Sequence, residues 1–374
     1  MTTTGTQPAL VPTLRGASYT DPDVFRLEQD RIFAPLWTCA LRASEIAGPG
    51  AFQVVQVARE SVIVSRDHAG GIRAFLNICR HRGSRLCLAE RGDVKRAFRC
   101  GYHAWTYGLD GRLIAAPNMT AMPDIDRDVY GLVPVAWREW LGYVWLCLDP
   151  DPPSFEDTVV AQVTRRLGDP AAIERYTVGD LVVGRRITYD VTANWKLIVE
   201  NFMECYHCAT IHPELTDVLP EFRQGLATQY FVGHGAEFAE HVEGFTVDGR
   251  KGFARLDTLA DTQDRRYFAV TIRPQVFVNL VPDHVILHRV YPLAADRTVI
   301  ECDWLYDRSV VDLDLGPSVE LFDRVNVQDF DACEACQLSM GSKAYESGGV
   351  LVPSEHHIAG FHAWVTSRLG ATVA

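Results

Sequence analysis

Residues 79–105 read CRHRGSRLCLAERGDVKRAFRCGYHAW. They set Cys79 and His81 as a Cys-x-His pair and Cys100 and His103 as a Cys-x-x-His pair, with eighteen residues between the pairs and a glycine beside each. Thiolate and imidazole at short fixed spacing are metal donors, and two such knuckles make a set of four. All four on one ion would be a tetrahedral zinc site. Two thiolates on one iron and two imidazoles on the other would be a [2Fe–2S] cluster of raised potential. Zinc ribbons usually pair cysteine with cysteine at each knuckle, whereas both knuckles here run cysteine then histidine, which favours the cluster.

Working outward, residues 50–149 are short β-rich runs, AFQVVQV, SVIVS, IRAFLNI and YVWLCL, separated by Gly, Asp and charged turns. A small all-β domain is expected there. Before it, Asp21 to Phe33 carries a rough helical stripe with Asp21 as a candidate N-cap. After it, DPDPPSFED at 149–157 holds three prolines in nine residues and marks a boundary. Beyond lie a strand-like LVVGRRITYDV, a helical stretch from Asn194, strands near 268–273, 285–291 and 297–306, and helices near 318–340 and 355–368. The fold class expected is α+β: an N-terminal lead and helix (1–40) packing on the catalytic domain, an all-β cluster domain (41–150), and a catalytic domain (151–374) with an antiparallel sheet wrapped around helices.

Composition narrows the setting. In 374 residues, 47% hydrophobic and 22% charged, there is apolar content for two cores. A formal charge of −12 argues against nucleic acid or an anionic membrane as partner. The opening MTTTGTQPALVPTLRG has neither the basic start nor the apolar core of a signal peptide, and no stretch reaches membrane-spanning length, so a cytoplasmic protein is expected. Ten cysteines in such a chain are read as thiols or metal ligands rather than a disulfide framework.

A second constellation lies in TANWKLIVENFMECYHCATIHPEL, residues 192–215. Two histidines, His207 and His212, with one distant carboxylate make the facial triad of non-heme iron oxygenases, which leaves cis positions open. On an ideal helix these histidines would sit about 140° apart, so a break between them, helped by Pro213, is expected. The carboxylate belongs to VNVQDFDACEACQ at 325–337, where spacing alone leaves Asp329 and Asp331 both open. Cys205-x-x-Cys208 and Cys333-x-x-Cys336 lack turn-borne knuckles and are read as buried free cysteines acting as small hydrophobes rather than as a zinc site.

CRHRG followed by C-x-YH-x-W resembles the Rieske domain of ring-hydroxylating and N-demethylating oxygenases, although the intervening loop is one residue longer and Gly101 stands where that family commonly has proline. With YTDPDVFRLEQDRIFAPLW and HRVYPLAADRTVIECDW, the resemblance extends over nearly the whole chain. It implies a terminal oxygenase with the [2Fe–2S] cluster on Cys79, His81, Cys100 and His103, and mononuclear Fe(II) on His207, His212 and, from the family's D-x4-E helix, Asp329. O2 is then co-substrate, and a separate flavin or ferredoxin reductase delivers electrons from NAD(P)H. It implies a homotrimer in which Glu204 bridges His207 and His103 of the neighbouring chain, with Asn201 supporting the site. Glutamate at the bridge and the wording ENFMECYHC resemble the branch acting on quaternary or tertiary ammonium compounds such as glycine betaine, carnitine, choline or proline betaine. Two alternatives stand beside this: an arene dioxygenase α subunit, and a Rieske electron carrier without oxygenase activity. Of the aromatic residues near the motifs, Phe202, Tyr206, Phe231, Phe277 and Tyr291, none is assigned to a pocket.

Overall fold

A computed structural model describes residues 10–118, 126–225, 231–250 and 252–370. The first nine residues of the lead lie outside it. The chain forms two compact units: Gln29–Thr158 is one, and the segments on either side of it form the other.

In the second unit a single helical turn, Ala17–Thr20, precedes α1, Pro22–Glu28; Asp21 accepts from the Asp23 amide at 2.7 Å, the N-cap role its position suggests. The inserted unit is built from β1 (Thr38–Arg42), β2 (Ala51–Val57), β3 (Glu60–Arg66), β4 (Ile72–Leu76), β5 (Arg91–Asp93), β6 (Ala97–Arg99), β7 (Thr106–Gly108), β8 (Leu113–Ala115), β9 (Ala136–Trp140) and β10 (Tyr143–Cys147). Their antiparallel sheets have the orders β9-β10-β1, β4-β3-β2-β5 and β6-β7-β8. β3 explains why one strand serves two cores. Side chains alternate across a strand, so Val62 and Val64 enter one apolar cluster while Ile63, between them, enters the cluster that also holds Cys79 and Cys100. The unit ends beyond the prolines rather than at 150 because Trp37 holds that segment: its indole N–H donates to Pro153 O at 2.8 Å, and its ring meets Phe155 edge-on at 5.3 Å.

The catalytic unit continues with α2 (Ala161–Leu167), β11 (Val182–Val191), α3 (Trp195–Phe202), α4 (Cys208–Ile211), α5 (Pro213–Val218), β12 (Ala236–Glu237), β13 (Arg266–Ile272), β14 (Val276–Leu280), β15 (His284–Ala294), β16 (Arg297–Tyr306), α6 (Gly316–Gln337) and α7 (His356–Leu369). Six antiparallel strands run in the order β11-β16-β15-β14-β13-β12. β14 was not expected from sequence: five buried residues, VFVNL, offer no alternation to read. The row Thr271, Phe277, His288 and Cys302 crosses four strands on one face, and Asn326 of α6 meets His288 Nε2 at 3.1 Å and Cys302 Sγ at 3.8 Å. α6 therefore lies on that face. Burial pushes His288 down to about 4, so it stands there as a neutral hydrogen-bonding group.

α3 begins where Asn194 Oδ1 accepts from the Lys196 amide at 3.0 Å. Fully buried Lys196 pairs with fully buried Glu28 of α1, whose other oxygen accepts from Trp195 Nε1 at 2.7 Å. Two desolvated charges neutralise each other here, and deleting one strands its partner. Lys196→Met is therefore expected to destabilise the catalytic unit by about 3–5 kcal/mol, read by urea unfolding. A loss under about 1 kcal/mol would contradict this account of how α1 is held.

Candidate metal centres

In the inserted unit, Cys79 and Cys100 are 2% and 3% exposed, whereas His81 and His103 lie at the surface. Each knuckle is a tight turn, closed by Cys79 N to Ser84 O at 2.8 Å and Cys100 N to Trp105 O at 2.8 Å. Gly83 and Ala104 take positive φ, 73° and 58°, to reverse the chain beside the donors. The imidazoles of His81 and His103 come within 4.7 Å, ring to ring, and His81 stacks on Trp105.

The electrostatics suit thiolate and neutral imidazole. Burial would raise Cys100, but the Tyr102 amide, the Cys79 thiol and the His103 amide outweigh it and hold it below the ordinary thiol range. Burial, then the neighbouring His81 and Arg82, hold His103 low. A buried sulfur pair below an exposed imidazole pair fits a two-iron cluster with unlike ends, and Gly101, with open space where a Cβ would stand, puts nothing in its way. Sequence reasoning did not single out Tyr107. Its hydroxyl sits 3.4 Å from Cys79 Sγ and accepts from the Arg80 amide at 2.9 Å, which turns the O–H toward sulfur. With the cluster loaded, Tyr107→Phe is expected to lower its potential by about 40 mV, the worth of one net hydrogen bond of about 1 kcal/mol. Redox titration reads the shift, and an unchanged midpoint would exclude that bond.

In the catalytic unit the helix expected to run from Asn194 to a break between His207 and His212 ends at Phe202. Glu204 and His207 stand in the following turn, α4 spans only Cys208–Ile211, and His212, at φ −124° and ψ 60°, breaks the chain before Pro213 opens α5. The break between the histidines was expected; the earlier end at Phe202 was not. It frees both imidazoles from the helical spacing. His207 Nε2 lies 3.2 Å and His212 Nε2 2.8 Å from Asp329 Oδ1, and the three donors sit within 4.8 Å of one another. Asp331, the alternative carboxylate, is exposed, while Asp329 is half-buried beneath both rings.

Each histidine has its other nitrogen fixed. The Glu204 carboxylate can only accept, so His207 Nδ1 carries a hydrogen toward it. Gln328 donates through Nε2 to Glu214 Oε1 at 3.0 Å, which turns Oε1 toward His212 Nδ1 at 2.7 Å. Both Nε2 atoms then face Asp329, where a bound metal would displace their protons. Burial raises Asp329, but hydrogen bonds from the two histidines prevail and hold it at about 2; burial lowers His207, but Asp329 and Glu204 prevail and lift it to about 10. The enclosure thus strongly favours a cation, and its donor set is that of non-heme ferrous sites.

Beside the triad is a space of about 380 Å³ including its mouth, walled by Phe202, Leu215, Phe222, Tyr267, Phe322 and Val325, with Asn201 at its edge. Of the aromatic residues near the motifs, Phe202 reaches this wall, with Phe277 stacked behind it at 4.1 Å. Tyr206 and Phe231 are 60% and 51% exposed. Phe222, Tyr267 and Phe322 come from segments with no local signature and were missed, as was Gln328. Cys205 and Cys208, expected to be free thiols, are joined as a disulfide in the same wall. Their Cα atoms are 4.9 Å apart, within the span a disulfide bridges.

Residues 36–127 match the Rieske [2Fe-2S] domain family, and residues 178–371, more than half of the chain, match the ring-hydroxylating alpha subunit (catalytic domain) family. The chain is a Rieske-type ring-hydroxylating oxygenase alpha subunit. Among curated relatives of this oxygenase, the glycine betaine monooxygenase oxygenase subunit of Pseudomonas aeruginosa is 31% identical over 94% of this chain and 87% of its own length. The carnitine monooxygenase oxygenase subunit of Escherichia coli is 29% identical over 94% and 92%. Among solved structures, a quaternary ammonium Rieske monooxygenase described for carnitine oxidation and inter-subunit electron transfer superposes with a TM-score of 0.77 at 26% identity, covering 97% of each chain. Naphthalene 1,2-dioxygenase from Rhodococcus sp., at 22% identity, a TM-score of 0.76 and coverage of 97% and 95%, shares the fold. The oxygenase is thus a non-heme iron oxidoreductase carrying a [2Fe–2S] cluster and a mononuclear iron, in a family supplied with electrons by a separate reductase. No helix among its described residues is long and apolar enough to cross a membrane.

Proposed function

We propose that this oxygenase hydroxylates an N-methyl group, or the carbon next to nitrogen, of a small quaternary or tertiary ammonium compound. The observation that carries the reading is the wall of aromatic faces beside the triad, Phe202, Phe222, Tyr267 and Phe322, since such faces attract a cation without the strong solvation a carboxylate demands. The relatives named for glycine betaine and carnitine support the same class.

Cys79, His81, Cys100 and His103 would hold the [2Fe–2S] cluster, and His207, His212 and Asp329 the mononuclear iron. When bound, these groups supply one-electron transfer and O2 activation. The chain's own residues do the rest. Glu204 and Gln328 hold hydrogens on the Nδ1 atoms of His207 and His212, keeping both Nε2 lone pairs inward. The apolar wall excludes water and orients the methyl group, and a hydroxylated N-methyl leaves as formaldehyde. Glu204 is the residue assigned to bridge His207 to His103 of the partner subunit in a homotrimer, a closed ring being what a head-to-tail interface needs. Asn201 supports that turn from the end of α3. The setting is cytoplasmic, in keeping with eight unbridged cysteines, and a flavin or ferredoxin reductase draws on NAD(P)H.

Oxygen uptake by the reconstituted system, with formaldehyde detection, is expected for choline, glycine betaine, carnitine or a close analogue. Uptake only with arenes, yielding cis-dihydrodiols, would replace this reading by the arene dioxygenase. No substrate-dependent uptake in protein loaded with both metals would leave only the electron carrier.

A further inference from the structure

The Cys205–Cys208 disulfide lies in the wall of the triad cavity, and both residues are 3% exposed. Its position is not that of a structural staple, since a link across three residues removes little freedom from an unfolded chain. What it encloses is the turn that carries the site. Cys205 follows Glu204 directly and Cys208 follows His207 directly. Between them, the Tyr206 amide and the His207 ring both donate to the Glu204 carboxylate. Cys208 Sγ lies 3.8 Å from His207 Nε2, the nitrogen that faces Asp329. A sulfur atom therefore stands against the donor set itself. As half of a disulfide it is a poor ligand; as a thiolate it is a soft donor of the kind iron accepts.

We propose that Cys205 and Cys208 form a redox-reversible modification site in which the disulfide braces the Glu204–His207 turn and withholds a fourth donor from the metal. The inference rests on the reading of His207 as an iron ligand. Reduction by a dithiol frees both thiols and makes Cys208 available beside His207 Nε2. Forming the link releases two protons and two electrons from the thiols. A hydroperoxide takes them up: its O–O bond breaks to give an alcohol and water, or two waters from hydrogen peroxide, as the S–S bond forms. In the reverse direction a dithiol attacks one sulfur, passes through a mixed disulfide, and leaves as its own cyclic disulfide. Cys-x-x-Cys couples have potentials on both sides of the cytosolic thiol poise, so both states are within reach.

The holoenzyme tests this through two readouts. The tryptic peptide from Leu197 to Arg223 contains Cys205 and Cys208 and no other cysteine, so alkylation and mass spectrometry report the link directly. EPR of the nitric oxide adduct of the ferrous mononuclear site reports its ligands, and the Rieske signal is the internal control. Expected are a peptide protected from alkylation until dithiothreitol is added, a nitrosyl signal that changes rhombicity on that reduction, and return of both to the starting state with one equivalent of hydrogen peroxide. Cys205→Ser, which leaves the Cys208 thiol free, is expected to keep the reduced-type signal throughout. Cys208→Ser is expected to lose the response to reductant. A peptide alkylated in full even after peroxide, or a nitrosyl signal indifferent to the link, overturns the inference. No nitrosyl signal in either redox state would remove the ligand assignment beneath it as well.

Discussion

His212→Ala is expected to empty the mononuclear site and lower substrate-dependent oxygen uptake by on the order of a thousandfold, from losing about 4 kcal/mol of metal-supplied stabilisation. The geometry explains why this residue is critical. His212 is 1% exposed, its Nε2 is 2.8 Å from Asp329 Oδ1, and its Nδ1 ends the chain through Gln328 to Glu214. Alanine leaves one imidazole and one carboxylate, and it strands the Gln328 amide oxygen. The cluster donors belong to the other unit, so iron analysis should fall from three to two per chain while sulfide and the Rieske EPR signal stay. Retention of mononuclear iron with loss of the cluster would overturn the division of ligands. Gln328→Leu should act more mildly, with iron affinity down about 10–100-fold, because it removes the support and leaves the ligand.

Glu204→Gln is expected to leave both metals in place and slow oxidation of the pre-reduced cluster by about 10–100-fold. Glutamine keeps the length and can still accept from His207 Nδ1, so the ring stays aimed. What it loses is the charge that helps hold His207 at about 10 and that would bind a second histidine. Stopped-flow absorbance with substrate and O2 separates the cases: a slowed cluster phase with normal iron content supports the bridge, and wild-type rates would end it. Glu204→Asp, shorter by one methylene, is expected to fall between.

How much of this was legible in sequence depends on how local each signal was. Cys79, His81, Cys100 and His103 were readable because a knuckle is a contiguous turn whose donors are fixed by spacing. His207 and His212 were readable as a pair, and the break at Pro213 followed from helical arithmetic. The end of α3 at Phe202 did not, since ENFMECYHC contains neither glycine nor proline. Asp329 against Asp331 was undecidable from spacing, for the choice is made by which face of α6 meets the sheet. Phe222, Tyr267 and Phe322 converge from three distant segments, and only the folded sheet brings them together. The disulfide was missed for another reason: in a chain read as cytoplasmic, its cysteines were taken to stay reduced.

The insertion of Gln29–Thr158 between two segments of one unit has a consequence for biosynthesis. The Glu28–Lys196 pair joins residues separated by 168 positions, so α1 cannot dock until Lys196 has left the ribosome. By then the whole inserted unit has been translated and is free to fold as an autonomous body. Its iron and sulfide can therefore be installed on a nascent chain whose second metal pocket does not yet exist. Asp329, a further 133 residues beyond Lys196, is among the last functional groups made, so the mononuclear site can be completed only after every cluster donor has been synthesised.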